Sequence, residues 1–178
     1  METRSRLEEF ASSLLDERIW FGKYPTPEEA RTISRSGFTH IVNLCTPDEN
    51  TWEPYKISDH VIINYPFCDG TIQRPLEETE ESPNKWKTFY SFINGLVAIL
   101  EQPLRTKIYI HCLGGHGRSP TIAAIVYGRI LDMDSATAIK EVKEAHQKRK
   151  VMKDKWRKLG APHRAKQKRL IKWFLDRK

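Results

Sequence analysis

Residues 107–131 read KIYIHCLGGHGRSPTIAAIVYGRIL, with a cysteine, three glycines and an arginine inside seven positions. Cys112 is a nucleophile. Arg118 is a planar, permanently charged fork that fits two oxygens of a phosphate. Gly114, Gly115 and Gly117 allow φ > 0 and let backbone N–H groups approach a ligand closely. The apolar run before Cys112 has strand character, and the run after Ser119 is apolar at helical spacing. A strand, a glycine turn and a helix start make an anion cradle, because the first N–H groups of a helix are unpaired and its dipole is positive there. The same field is expected to favour the thiolate of Cys112, the form that acts as nucleophile. Ser119 can hydrogen-bond the sulfur and ease its departure, and Pro120 in the first helical turn costs little. A nucleophile facing a phosphate suits covalent phosphoryl transfer. A buried cysteine before a tight turn would explain neither Arg118 nor the glycines.

The rest of the chain must supply the frame for that loop. RIWFGKYP (18–25) predicts a first strand ending at Pro25. TPEEARTISRSG predicts a helix, with Thr26 as N-cap, Pro27 at its first position, Glu28 and Glu29 in the first turn and Gly37 as its stop. FTHIVNLC and HVIINYPF are strand-like apolar runs separated by the polar loop TPDENTWEPYK. Ser82 and Pro83 open a helix that carries Trp86, Phe89, Tyr90, Ile93, Leu96, Val97 and Leu100 at core-facing spacing. KIYIHC is the next strand. Three helical segments follow the glycine loop: SPTIAAIVYGRIL, DSATAIKEVKEAHQKRK and HRAKQKRLIKWFL. QKRKVMKDKWRKLG, between the last two, looks like a basic insertion. Strands interspersed with helices predict an α/β domain whose central, mainly parallel sheet is flanked by helices.

With 178 residues, the chain is expected to form a single domain, 1–178, with a basic helical C-terminal part. Residues 1–138 carry a balance of −5 and residues 139–178 a balance of +12. That asymmetry suits an acidic partner or nucleic acid, or else a solvated lysine-rich helical end. Trp156, Trp173 and Phe174 are expected to anchor the C-terminal helices to the core. No apolar run reaches the length of a membrane span, and the polar N-terminus lacks a signal-peptide stretch. The three cysteines, Cys45, Cys68 and Cys112, fit neither a disulfide framework nor a zinc pattern. The expectation is a cytoplasmic protein, with nuclear residence also compatible, that needs no metal or cofactor.

HCLGGHGRS resembles the His-Cys-(five residues)-Arg-Ser/Thr signature of the cysteine-dependent protein tyrosine phosphatases, especially their dual-specificity-like branch. His111, Cys112, Gly115, Arg118 and Ser119 stand at that family's spacing, while Pro120 stands where the family commonly has Gly. The resemblance implies the protein tyrosine phosphatase-like fold. It implies Cys112 as nucleophile, Arg118 as phosphate clamp, Ser119 as hydrogen-bond donor to the sulfur and His111 as support for the loop. Phosphate would lie on the Leu113, Gly114, Gly115, His116, Gly117 and Arg118 segment. His116 would point outward, since the cradle uses backbone. The family mechanism also needs a general acid on a loop after a strand. NYPFCDGT matches, with Asp69 as acid and then as base for the hydrolytic water; an Asp-Gly turn is the plainer reading. Asp48 and Asp59 are its rivals. APHRAKQKRLI resembles the segment that positions that water, with Gln167 at the second polar position and His163 departing from the pattern at the first. Cys68 beside Asp69 reads as a loop cysteine.

The loop interior carries no lysine of the kind that would suggest phosphoinositides, and no tyrosine motif of the large tyrosine-specific enzymes is evident. The resemblance therefore implies a dual-specificity-like phosphatase acting on phosphorylated protein at Tyr, Ser or Thr. An RNA 5′-phosphatase of the same fold, favoured by the basic C-terminal part, is the alternative; so is a catalytically inactive phospho-binding module, against which Cys112, Arg118 and Asp69 argue.

Overall fold

The computed structural model describes residues 2–49, 54–57, 59–67, 83–102 and 106–177. The elements run α1 (Glu2–Phe10), β1 (Ala11–Leu14), β2 (Ile19–Gly22), α2 (Pro27–Ser34), β3 (His40–Asn43), a 3₁₀ turn (Pro47–Glu49), β4 (Val61–Asn64), α3 (Pro83–Glu101), β5 (Ile108–His111), α4 (Arg118–Ile130), α5 (Ser135–Gln147), α6 (Asp154–Leu159) and α7 (Ala165–Leu175). The sheet order is β1-β2-β5-β3-β4, with only β1 antiparallel. The expected α/β architecture with a mainly parallel sheet is present.

Alternation along the strands builds two cores. In β5, Ile108 and Ile110 face a layer formed with α3, α4, α5 and α7, where Ile93, Leu96, Ile122, Val142 and Ile171 are buried. Tyr109 faces the other side, with Trp20, Ile41, Ile33 of α2 and Leu7 and Phe10 of α1. Both sheet faces are covered, which is why its central strands read as continuous apolar runs. Strand ends Gly22, His111 and Asn43 stand in register. The chain turns there into loops at the carboxyl edge of the sheet, where ligands bind in open α/β folds.

Local signals hold well in α2. Thr26 accepts from the Glu29 N–H while Glu29 accepts from the Thr26 N–H, a complete capping box. Other expectations need correction. The polar N-terminus forms α1 and an edge strand, β1, because Leu7, Phe10, Ala11 and Leu14 are buried among its polar residues. In α3, Phe89, Ile93, Leu96 and Leu100 are buried as expected and Val97 partly so. Tyr90 is 41% exposed, its ring stacked on Phe174 at 5.4 Å. Phe174 anchors α7 to the core, with Trp173 half-buried at its edge. Ser82 as cap and the side chain of Trp86 lie outside the described residues. Among those residues, no helix is long and apolar enough to cross a membrane.

Candidate active site

β5 delivers His111 and Cys112 to the carboxyl edge, and α4 begins six residues later at Arg118. The N-cap, Gly117, has no side chain to satisfy the first N–H groups of α4, so those donors face the loop. Gly115 has φ +72, and a Cβ there would come within 2.5 Å of the Gly22–Lys23 backbone. Only glycine fits that position.

Cys112 is 3% exposed. Its Sγ accepts from the Gly115 N–H at 3.3 Å and lies 3.5 Å from the Ser119 Oγ. Ser119 also donates to the Gly22 carbonyl at 2.9 Å. Its single proton is thus within reach of either the sulfur or the β2 carbonyl.

Arg118 is gripped along one edge. Its Nη1 donates to Glu49 Oε2 at 2.7 Å, to Phe67 O at 3.0 Å and to Leu44 O at 3.3 Å, and its Nη2 donates to Glu49 Oε1 at 2.6 Å. Nε has no hydrogen-bond partner among the described residues, and with the second N–H of Nη2 it forms the side-on fork that suits a phosphate. Thr46 completes the grip, its N–H and hydroxyl donating to Glu49 Oε2 at 2.9 and 3.0 Å. Burial works most strongly against the charged guanidinium, but the hydrogen bonds of Glu49 and the charges around it together outweigh that effect and raise the Arg118 pKa. In return, Arg118 holds the Glu49 carboxyl below its usual range, against the opposing effect of burial. Glu49 escaped the sequence reading, since an acidic residue in a polar loop carries no local mark of its partner 69 positions away.

His111 is fully buried, and its Nε2 shares a 2.7 Å hydrogen bond with the Tyr55 hydroxyl. Tyr24 and Tyr55 meet its ring edge-on at 5.3 and 5.4 Å. Tyr55, which the sequence did not single out, thus holds the His111 ring beside Cys112. Leu113 joins the loop to the segment after β2 by accepting from the Tyr24 N–H at 3.1 Å.

His116 does not point outward toward substrate or solvent. Its Nδ1 is 2.9 Å from His146 Nε2, and its ring stacks on Trp156 at 4.6 Å and 13°. The loop's flank is filled by α5–α7, so the imidazole finds its partners there. Trp156 consequently braces the loop and is no anchor to the main core. QKRKVMKDKWRKLG is likewise no mere basic insertion: it carries Trp156 and the buried Arg149. Gln167 is fully buried, and a Cβ on Gly117 would meet its Nε2 at 2.6 Å. His163 Nδ1 bonds the His116 carbonyl at 3.1 Å. Both residues singled out in the C-terminal segment thus stand against the loop. Asp69 and Cys68 lie outside the described residues. Asp59 precedes β4, at the end of the sheet away from Cys112.

Burial pushes His111, His116 and His146 down to about 3, with the charge of Arg118 adding to this at His111 and that of Arg149 at the other two. These rings stay neutral in the folded protein, whereas an unfolded histidine takes up a proton near pH 6.5. The unfolded state therefore binds more protons between about 6.5 and 3, and stability is complete above 6.5 and falls as pH drops through that window. Urea midpoints should decline clearly from pH 7.5 to pH 5. The decline should be shallower in His146→Gln. A flat profile would show that these rings are not held neutral.

No family model matches the chain. It is 34% identical over 136 residues to a protein named as a candidate tyrosine phosphatase, 197R of Invertebrate iridescent virus 6, covering 75% of this chain and 47% of that protein. Over 165 residues it is 29% identical to the similarly named 067L of Invertebrate iridescent virus 3, covering 92% of this chain and 65% of that protein. The chain thus spans about half of one curated relative and less than two thirds of the other. Among solved structures, Tk-PTP in its active form superposes with a TM-score of 0.65 at 19% identity, covering 94% of this chain and 97% of that one. The human tyrosine phosphatase-like serine/threonine/tyrosine-interacting protein gives 0.66 at 14% identity, covering 93% and 95%. The chain has the fold of these protein tyrosine phosphatase-like structures. A further structural relative is a mouse protein described as a candidate dual specificity phosphatase, with a TM-score of 0.60 at 15% identity over 95% of this chain and 89% of that one.

Proposed function

We propose that the protein is a dual-specificity-like phosphatase that hydrolyses phosphoric monoesters on proteins through a cysteinyl-phosphate. The observation that carries this reading is the convergence on one loop of the Cys112 sulfur, the unpaired α4 N-terminus and an Arg118 fork already oriented by Glu49. The Cys112 thiolate attacks phosphorus, forming an S–P bond as the ester P–O bond breaks. Asp69 gives its proton to the departing oxygen. Water then attacks the phosphocysteine, Asp69 takes a proton from it, and the S–P electrons return to sulfur, eased by the Ser119 hydroxyl. Arg118 and the loop amides hold the equatorial oxygens and supply the charge stabilisation that metal ions give other phosphatases. Support for Asp69 comes from Phe67, whose carbonyl touches Arg118 at 3.0 Å. Phe67, two positions before Asp69 in the sequence, therefore stands beside Arg118.

Metal-free assays in EDTA on pTyr, pSer/pThr, phosphoinositide and 5′-triphosphate RNA substrates test the reading. Turnover of phosphopeptides is the expected result. Binding without turnover would make the protein an inactive phospho-binding module, and a magnesium requirement would sink the cysteine mechanism. Asp69→Asn should cost about 10²–10⁴-fold on a phenyl or alkyl phosphate and much less on an ester with an acidic phenol. Equal losses on both would move the acid elsewhere.

The basic C-terminal part keeps an RNA 5′-phosphatase as the second reading. Arg149 is buried and Lys150 pairs with Glu8 at 2.9 Å, so neither reports on the external field. Neutralising the exposed Lys148, Lys153 and Lys155 instead should leave kcat on a small ester unchanged. If RNA is the substrate, its kcat/KM should fall in a salt-dependent way. Unchanged RNA hydrolysis at low salt would remove that reading's main support.

A further inference from the structure

Arg149 follows the last turn of α5 and is 3% exposed, yet no carboxylate pairs with it among the described residues. Its Nη1 and Nη2 donate to the Gly115 carbonyl at 3.3 and 3.4 Å, its Nη2 to Phe21 O at 3.2 Å and its Nε to Ser12 Oγ at 3.3 Å. Its guanidinium lies 5.9 Å from the Phe21 ring centroid. Burial lowers its pKa to about 10. A buried cation answered only by neutral acceptors is costly, and this one is spent on the back of the phosphate loop. The next carbonyl, that of His116, is held by His163 Nδ1 at 3.1 Å. Two consecutive loop carbonyls are therefore tied outward, one to the end of α5 and one to the segment before α7.

We propose that Arg149 and His163 are positioning residues that aim the phosphate-binding amides: by fixing the carbonyls of Gly115 and His116 they turn the N–H groups of His116 and Gly117 toward the anion. In a trans peptide the N–H points opposite to the C=O, so a carbonyl held from behind commits the next amide to the front. The loop needs such restraint because Gly114, Gly115 and Gly117 impose little conformational preference of their own. His163 is itself held, its ring meeting Trp156 edge-on at 5.2 Å while Trp156 stacks on His116. Arg157 fixes the end of α5 by donating to Gln147 O at 2.7 Å and to Arg149 O at 3.2 Å. This assignment rests on the loop's being the phosphate cradle of the proposed enzyme.

The test compares the wild type with Arg149→Met, Arg149→Lys and His163→Phe in the full chain. It measures inhibition by inorganic phosphate and vanadate, kcat and KM on an aryl phosphate, and thermal unfolding. His163→Phe keeps the ring against Trp156 but loses the donor. Its phosphate Ki should rise on the order of tenfold or more, as for loss of a hydrogen bond to a charged group, with little change in unfolding temperature. Arg149→Met should raise Ki at least as much, and Arg149→Lys should recover part of the loss because an ammonium still reaches one carbonyl. Ki belongs to the folded molecules, so lowered stability by itself does not move it. Wild-type Ki values in His163→Phe and Arg149→Lys overturn the assignment, even if Arg149→Met fails to fold. A wild type that binds phosphate but does not turn over would remove the phosphatase reading, and the same variants would then be compared by phosphate Kd from calorimetry, with the same rises expected. A wild type that binds none would overturn both.

Discussion

Cys112→Ser should abolish turnover, lowering kcat by roughly 10⁴–10⁶-fold, while inorganic phosphate and phosphopeptides still bind. Removing a covalent nucleophile from an otherwise complete site costs about that much. A serine hydroxyl at the same place is a far weaker nucleophile toward phosphorus than a sulfur, and has almost no anionic form at neutral pH. Binding survives because the anion's partners do not depend on the sulfur. They are the loop amides and Arg118, whose orientation is set by Glu49, Phe67 and Leu44. Single-turnover measurements should show no cysteinyl-phosphate, and calorimetry should show phosphate affinity close to that of the wild type. Appreciable metal-free turnover by the variant would take the nucleophile's role away from Cys112.

The second large effect is expected at Arg118. Arg118→Lys should lower kcat/KM by about 10³-fold, since a single ammonium can neither grip both Glu49 oxygens nor offer a second edge to the phosphate. The ion pair makes a further distinction. Glu49→Gln leaves the guanidinium in place but sets an amide N–H₂ against one of its N–H groups. The fork should turn away from the cradle, and kcat/KM should fall on the order of 10–100-fold. Stability should fall too, because Arg118 is only 9% exposed in its side chain and would lose its carboxylate, while the 23% exposure of Glu49 softens the loss. Wild-type kcat/KM in Glu49→Gln would show that the carboxylate does not orient Arg118.

The loop from Cys112 to Ser119 was legible in the sequence because everything it needs is local. A strand end, glycines for an unusual turn, a helix start and an arginine at fixed spacing act within eight residues. The cap of α2 and the apolar, β-branched runs of β2, β3, β4 and β5 were legible for the same reason, since capping acts between near neighbours and strand propensity lies in the residues themselves. The edge strand β1 was not, because ASSL takes its strand form from pairing with β2 and from burial over α5, neither of which its own residues announce. Tyr90 has helical spacing with the core residues of α3, but the neighbouring helix leaves its side of α3 open to solvent. What supports the site came from further away still. Glu49 reaches Arg118 across 69 residues, Tyr55 reaches His111 across 56, and Arg149 reaches Phe21 across 128. A carboxylate in a polar loop, or an arginine in a run of lysines, looks like solvated charge until the fold buries it. The sequence by itself determined the reactive groups and the turn that displays them, because covalent spacing fixes both. Only the tertiary structure decided which charges and rings hold that turn in place, because burial and partner choice arise when distant segments pack together.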